Sequence, residues 1–187
     1  MLGIFGFLTS FAQNADHKKA RSLGFQFSFI DHQTATDLRT KAFANVINEE
    51  QWYRINRKAP ALTLTYMKGL SNTVDFAAKL TGSFLAYPLR GVANNGQELF
   101  FTELDANVHV KLLPDHFLVV PYFSAGAGVL TTNKSLAAYL PLGVGLQINL
   151  WNDAFVHLQT IHRSPVTSKA THSLFHSIGV SVPIEKK

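Results

Sequence analysis

"YLPLGVGLQINLW", residues Tyr139 to Trp151, lies within an 18-residue stretch, Ser135 to Asn152, that carries no charged side chain. Eighteen such residues reach the lower length limit of a membrane helix. The internal order argues against one. Pro141, Gly143, Gly145, Gln147 and Asn149 alternate with Leu140, Leu142, Val144, Leu146, Ile148 and Leu150. A period of two belongs to a strand, whereas a helix would spread both sets around its circumference, and Pro141 would break its hydrogen-bond ladder. The stretch therefore has one aliphatic face and one small or polar face. Soluble sheets and membrane barrels share this period, so the rest of the chain must decide which solvent each face meets.

At 187 residues, 47% hydrophobic and 16% charged, the chain has the composition of one sizeable folded domain and not of a disordered segment. Fifteen Phe and 12% aromatics favour strands. With no Cys, disulfides, lipid attachment at Cys and thiolate metal sites are excluded. The net charge of +5 permits an anionic partner, but scattered surface charge is the favoured reading, and no nucleic-acid role is expected. "MLGIFGFLTSFAQNADHKK" carries an apolar run from Leu2 to about Leu8, then small residues at Ser10 and Ala12. It reads as a signal peptide over 1–12 with an atypical start, lacking the usual positive charges, and 13–22 as a periplasmic segment.

The same alternation predicts eight strands: Leu23 to Asp31, Ala61 to Lys68, Thr73 to Tyr87, Glu98 to Leu113, Phe117 to Thr131, Ala138 to Trp151, Ala154 to Arg163 and His172 to Ile184. Most reach the length at which a tilted strand crosses a bilayer. Their connections alternate between long and short. "GLSN", "PDH" and "ND" are tight, whereas His32 to Pro60, "PLRGVANNGQ", "TNKSLA" and "SPVTSKAT" are longer. An all-β, eight-stranded antiparallel up-and-down transmembrane β-barrel over 23–184 has this rhythm, with both termini at the short-turn rim and 185–187 as a tail.

In "FFTELDANVHVKLL", Phe100, Thr102, Leu104, Ala106, Val108, Val110 and Leu112 share one face, and Glu103, Asp105, Asn107, His109 and Lys111 the other. The polar face is also the one carrying Gly126, Gly128, Gly143 and Gly145. A narrow eight-stranded lumen needs small residues to make room for a few long ones, so the polar face is assigned inward and the aliphatic face to lipid. The alternative is a soluble lipocalin-like barrel with its aliphatic face around a lipid.

"LTYMKGLSNTVDF", "ELDANVHVKLLPDHF", "VPYFSAGAGVL", "LPLGVGLQINLW" and "HSLFHSIGVSVPI" together resemble the OmpA-like eight-stranded outer-membrane barrels of Gram-negative bacteria. The resemblance implies an integral outer-membrane protein in contact with outer-membrane lipid and lipopolysaccharide. With three residues after Ile184, the barrel is expected to stand without the peptidoglycan-binding domain that some relatives carry. Its last strand ends in Ile184 rather than in the aromatic residue common in such barrels.

Under this parity Asp75, Lys79, Glu103, Asp105, His109, Lys111 and Arg163 project into the lumen and are expected to form a salt-bridged plug rather than a conduction path. Of the eight His, His162, His172 and His176 cluster near the last long loop, but no Cys or carboxylate accompanies them, and neither a metal nor another cofactor is expected. Lipid A deacylases of the outer membrane use a His, a Ser and a Glu on the lipid-facing wall. "IHRS" offers His162 and Ser164, yet no acid lies between Asp153 and Glu185 to orient the imidazole, so no enzymatic activity is expected and a lipid A-modifying enzyme stays an alternative. The first long loop combines Arg39, Lys41, Arg54, Arg57 and Lys58 with Trp52 and Tyr53, and Asp37 is a candidate helix N-cap. Trp52, Tyr53, Arg54, Arg57 and Lys58 are the candidate loop-binding residues. The resulting expectation is a structural or binding role through the long loops, alone or as a subunit of a larger complex with a partner outer-membrane protein.

Overall fold

The computed structural model describes residues 18–32, 34–35, 58–85, 99–132, 135–150, 154–167 and 171–184. The strands are β1 (Ser22–Asp31), β2 (Lys58–Gly69), β3 (Val74–Leu85), β4 (Leu99–Lys111), β5 (Val119–Thr132), β6 (Ser135–Leu150), β7 (Ala154–Pro165) and β8 (Ser173–Pro183). Each pairs antiparallel with its neighbour in sequence, and β8 returns to β1 with Ser22 opposite Pro183, closing the barrel. Closure leaves no unpaired strand edge, a condition for a sheet to stand in hydrocarbon.

The two faces separate as the period of two requires. Leu104 is 55% and Leu142 56% exposed on the outside, whereas Asn107 is 1% exposed on the inside. The outer wall is built from Leu, Val, Ile and Phe on all eight strands, among them Phe25, Leu64, Leu80, Phe100, Val144, Leu158 and Ile178. The inner face carries Gln26, Ser28, Thr63, Thr81, Gln147, Gln159 and Ser177. A lipocalin-like barrel would need the reverse, so that alternative fails on the parity of every strand.

Glycine and tyrosine share the lumen across the β5–β6 pair. Tyr122 faces Gly145 and Tyr139 faces Gly128 in register. A Cβ on Gly145 would lie 2.3 Å from the Tyr122 ring, and one on Gly128 2.5 Å from the Tyr139 ring. The absent side chains are thus the space in which the two rings lie, the same aromatic-over-glycine arrangement that stabilises glycine in designed sheets.

Three sequence expectations change. The connection lengths do not alternate strictly: β5 and β6 stay paired up to Thr132 and Ser135, so "TNKSLA" is mostly strand, whereas the turn after β4 runs from Leu112 to Leu118. Cross-strand pairing of the flanking residues outweighed their loop-like composition. Lys58 was expected in the first loop but opens β2, opposite Asp31. The lumen is also not polar throughout. Near the long-loop end Ile30, Ala59, Ala61, Phe101, Leu130, Ala137, Tyr139, Ile161 and Phe175 form an enclosed apolar cluster. The expected signal peptide at 1–12 and the candidate N-cap Asp37 lie outside the described residues. At His32, just after β1, helical backbone begins, and the Asp31 carboxylate accepts the Thr34 backbone N–H at 2.9 Å and its hydroxyl at 2.7 Å, the geometry of an N-cap.

An arginine on the mid-wall must enter lipid. Leu104→Arg and Leu146→Arg are each expected to weaken folding into lipid vesicles by about 2–4 kcal/mol. Reversible urea unfolding in vesicles measures this, and inward Asn107→Ser should shift the midpoint less; equal shifts would contradict the assignment of the faces.

Candidate functional site: the filled lumen and its rim

Burying a charge inside a barrel is tolerable only where another charge or a full set of hydrogen bonds meets it. The lumen meets this requirement in three tiers. At the short-turn end Asp75 accepts Lys111 Nζ at 3.0 Å on one oxygen and faces Lys19 Nζ at 2.9 Å on the other. Lys111 also reaches Asp115 at 2.7 Å. Lys19 enters from the segment ahead of β1, donates to Gln147 and lies 4.7 Å from the centre of the Phe155 ring. The turn after β4 folds under the barrel, where Asn149 donates to the Asp115 and Phe117 carbonyls at 2.6 Å each and Gln147 donates to Asp115 at 2.9 Å.

The middle tier is held by amides and hydroxyls. Gln159 accepts Lys79 Nζ at 2.9 Å and donates to Gln26 at 2.8 Å and to Ser177 at 2.7 Å. His109 stacks on Tyr122 with ring centres 4.6 Å apart, and His157 Nε2 lies 2.8 Å from the Ser181 hydroxyl. Ser28, Thr63 and Thr81 form a hydroxyl ladder at 3.1 and 2.8 Å.

In the third tier the Arg163 guanidinium meets Glu103 at 2.6 Å and Asp105 at 3.9 Å, with its centre 4.1 Å from the Phe175 ring and 5.0 Å from that of Tyr139. Asp105 further accepts the Tyr139 hydroxyl at 3.3 Å and the Asn107 amide. The apolar cluster overlaps this tier through Tyr139 and Phe175 and extends toward the long-loop end.

All seven residues assigned to the lumen, Asp75, Lys79, Glu103, Asp105, His109, Lys111 and Arg163, are buried inside the barrel. They divide between tiers instead of forming one network. Lys19 and Asp115 were missed because one precedes the first strand and the other sits in a turn; neither position carries the strand period that located the rest. Of the candidate loop residues, Trp52, Tyr53, Arg54 and Arg57 lie outside the described residues. His162 and Ser164 share the outer face of β7 and are half-buried. The ring that meets His162 is that of His172, 3.2 Å away. Burial lowers the His32 pKa to about 4, so this imidazole at the end of β1 is neutral at physiological pH.

No family model matches the sequence, and no curated protein matches it. Among solved structures, the N-terminal β-barrel domain of Pseudomonas aeruginosa OprF is similar at a TM-score of 0.55 and 11% identity, over 88% of this chain and 98% of that one. Neisserial surface protein A is similar at 0.53 and 13% identity, over 88% and 96%.

Removing one partner of a buried ion pair strands the other. Asp75→Ala leaves Lys19 and Lys111 without their shared carboxylate and is expected to cost about 3–5 kcal/mol in urea unfolding from micelles. Gly145→Val should displace the Tyr122 ring and lower the melting temperature as well. Single-channel recording is expected to give no persistent conductance from the wild-type monomer. With its filled lumen, apolar wall and eight paired strands, the chain has the fold of the OmpA-like eight-stranded outer-membrane barrels.

Proposed function

We propose that the chain is an integral protein of a Gram-negative outer membrane that acts as a structural or binding element through its long loops, without catalysis. The observation that carries this reading is the contrast between the filled lumen and the apolar wall. Ion pairs and the apolar cluster occupy the interior. The outer wall exposes large aliphatic and aromatic side chains on every strand, and such a surface is stable only against acyl chains or another apolar surface. Activity is then left to the rims, where loops on a rigid scaffold carry recognition.

The segment between β1 and β2 has the composition for it. Arg54 and Arg57, with Lys58 at the start of β2, supply cations and Trp52 and Tyr53 amphipathic rings. This combination suits the phosphates of lipopolysaccharide at a membrane surface, or an acidic patch on a partner outer-membrane protein. A deacylase-type reaction is disfavoured because the imidazole of His162 meets another imidazole, His172, rather than a carboxylate that would hold its tautomer and stabilise its cation.

Two measurements test the reading. The protein is expected to fractionate with outer membranes and to migrate differently in detergent gels before and after boiling; recovery from the soluble fraction without detergent would refute it. Replacing Arg54, Arg57 and Lys58 together by Ser should keep the heat-dependent migration but weaken co-sedimentation with lipopolysaccharide or capture of the partner. Unchanged binding would reduce the segment to a connector.

A further inference from the structure

At the long-loop rim, outside the filled lumen, two imidazoles meet. His162 projects from the outer face of β7, and His172 immediately precedes β8. His162 Nε2 and His172 Nδ1 are 3.2 Å apart, with ring centroids 5.3 Å apart and planes inclined at 46°. The backbone beneath is held as well: the His172 carbonyl lies 3.3 Å from His32 Nδ1, which also lies 3.4 Å from the Thr171 hydroxyl. Both imidazoles are half-buried and so remain in reach of water.

The separation has a chemical meaning. Two imidazole nitrogens bound to one zinc ion at about 2.0–2.1 Å each, across a tetrahedral angle, lie roughly 3.3–3.4 Å apart. The pair is therefore spaced for an ion to replace the hydrogen between the rings with little movement of either strand. We propose that His162 and His172 form a two-imidazole seat for a divalent transition ion, Zn2+, Cu2+ or Ni2+, at the rim of the barrel.

The proton balance is simple. Each neutral imidazole binds through the facing nitrogen and keeps its one hydrogen on the far nitrogen, Nδ1 of His162 and Nε2 of His172. The ring that donates in the metal-free pair changes tautomer through solvent. Two metal–nitrogen bonds form and no net proton is released. Among the described residues no group of three or more His, Cys, Asp or Glu side chains converges. With two donors from the described residues, the proposed seat leaves positions open to water or an anionic oxygen and exchanges its ion readily, unlike the closed shell of a structural zinc site. That missing third ligand was the basis for expecting no metal from the sequence. Two nitrogen donors select transition ions over Mg2+ and Ca2+, which take oxygen ligands.

The experiment uses tag-free protein folded in detergent micelles, stripped with EDTA, and titrated calorimetrically with ZnCl2 and with CuCl2. One ion per barrel is expected to bind, and EDTA should reverse it. His162→Gln and His172→Gln should each lose this binding while His176→Gln and His116→Gln retain it, with heat-dependent gel migration confirming that all four are folded. Binding unchanged in His162→Gln, or no binding to the wild type, overturns the proposal. Electron paramagnetic resonance of the wild type with one equivalent of Cu2+ reads the seat without any substitution: coupling to two imidazole nitrogens is expected, and coupling to fewer than two overturns it.

Discussion

Asp75 sits where the barrel has least freedom. Its carboxylate is shared between Lys19 and Lys111, all three almost fully enclosed, and no water-filled bulk is at hand to solvate any of them if one is lost. An eight-stranded barrel is too narrow to leave long polar side chains hydrated, so what enters the lumen must find its partner there. The pairing of Asp75 ties the segment before β1 to β3 and β4, and through Asp115 to the turn after β4. This interaction thereby closes the short-turn end of the molecule.

The remaining lumen follows the same rule with different chemistry at different heights. Lys19, Lys79, Lys111 and Arg163 are balanced by Asp75, Glu103, Asp105 and Asp115, but not in one cluster. Gln26, Gln159 and Ser177 separate the two charged tiers: Gln159 accepts Lys79 and donates to Gln26 and Ser177, and Gln26 accepts from both Gln159 and Ser177. Beyond Arg163 the apolar share rises, and Phe101, Leu130, Ile161 and Phe175 pack together there, while buried Asp31 and Ser83 keep hydrogen bonds of their own. Such an interior serves stability, which is why the proposed recognition role rests with the rims.

The outside obeys the opposite constraint, and β7 and β8 carry polar groups on it. Thr160 and His176 lie 3.0 Å apart there, and His162 meets His172. On a largely apolar wall, these groups face each other across the two strands, so that their polar atoms meet locally. The same cross-strand proximity brings two imidazole nitrogens to the spacing of a metal chelate.

Much of the architecture was legible in single residues. The alternation of Leu140 to Leu150 with Pro141 to Asn149, and of Leu104 to Leu112 with Glu103 to Lys111, is enough to assign strands and faces, because a strand places every second side chain on one side whatever surrounds it. Small Gly143 and Gly145 among polar partners further indicate which side is the crowded interior. What tertiary structure alone decided is which residues meet. Lys19 lies outside any strand, yet it completes the pairing of Asp75; Asp115 belongs to a turn whose length composition misjudged; and Tyr122 over Gly145 depends on the register of β5 against β6. Periodicity is a local property of the backbone, whereas register and closure follow from the summed pairing of all eight strands, and only after closure do side chains distant in sequence share one narrow space.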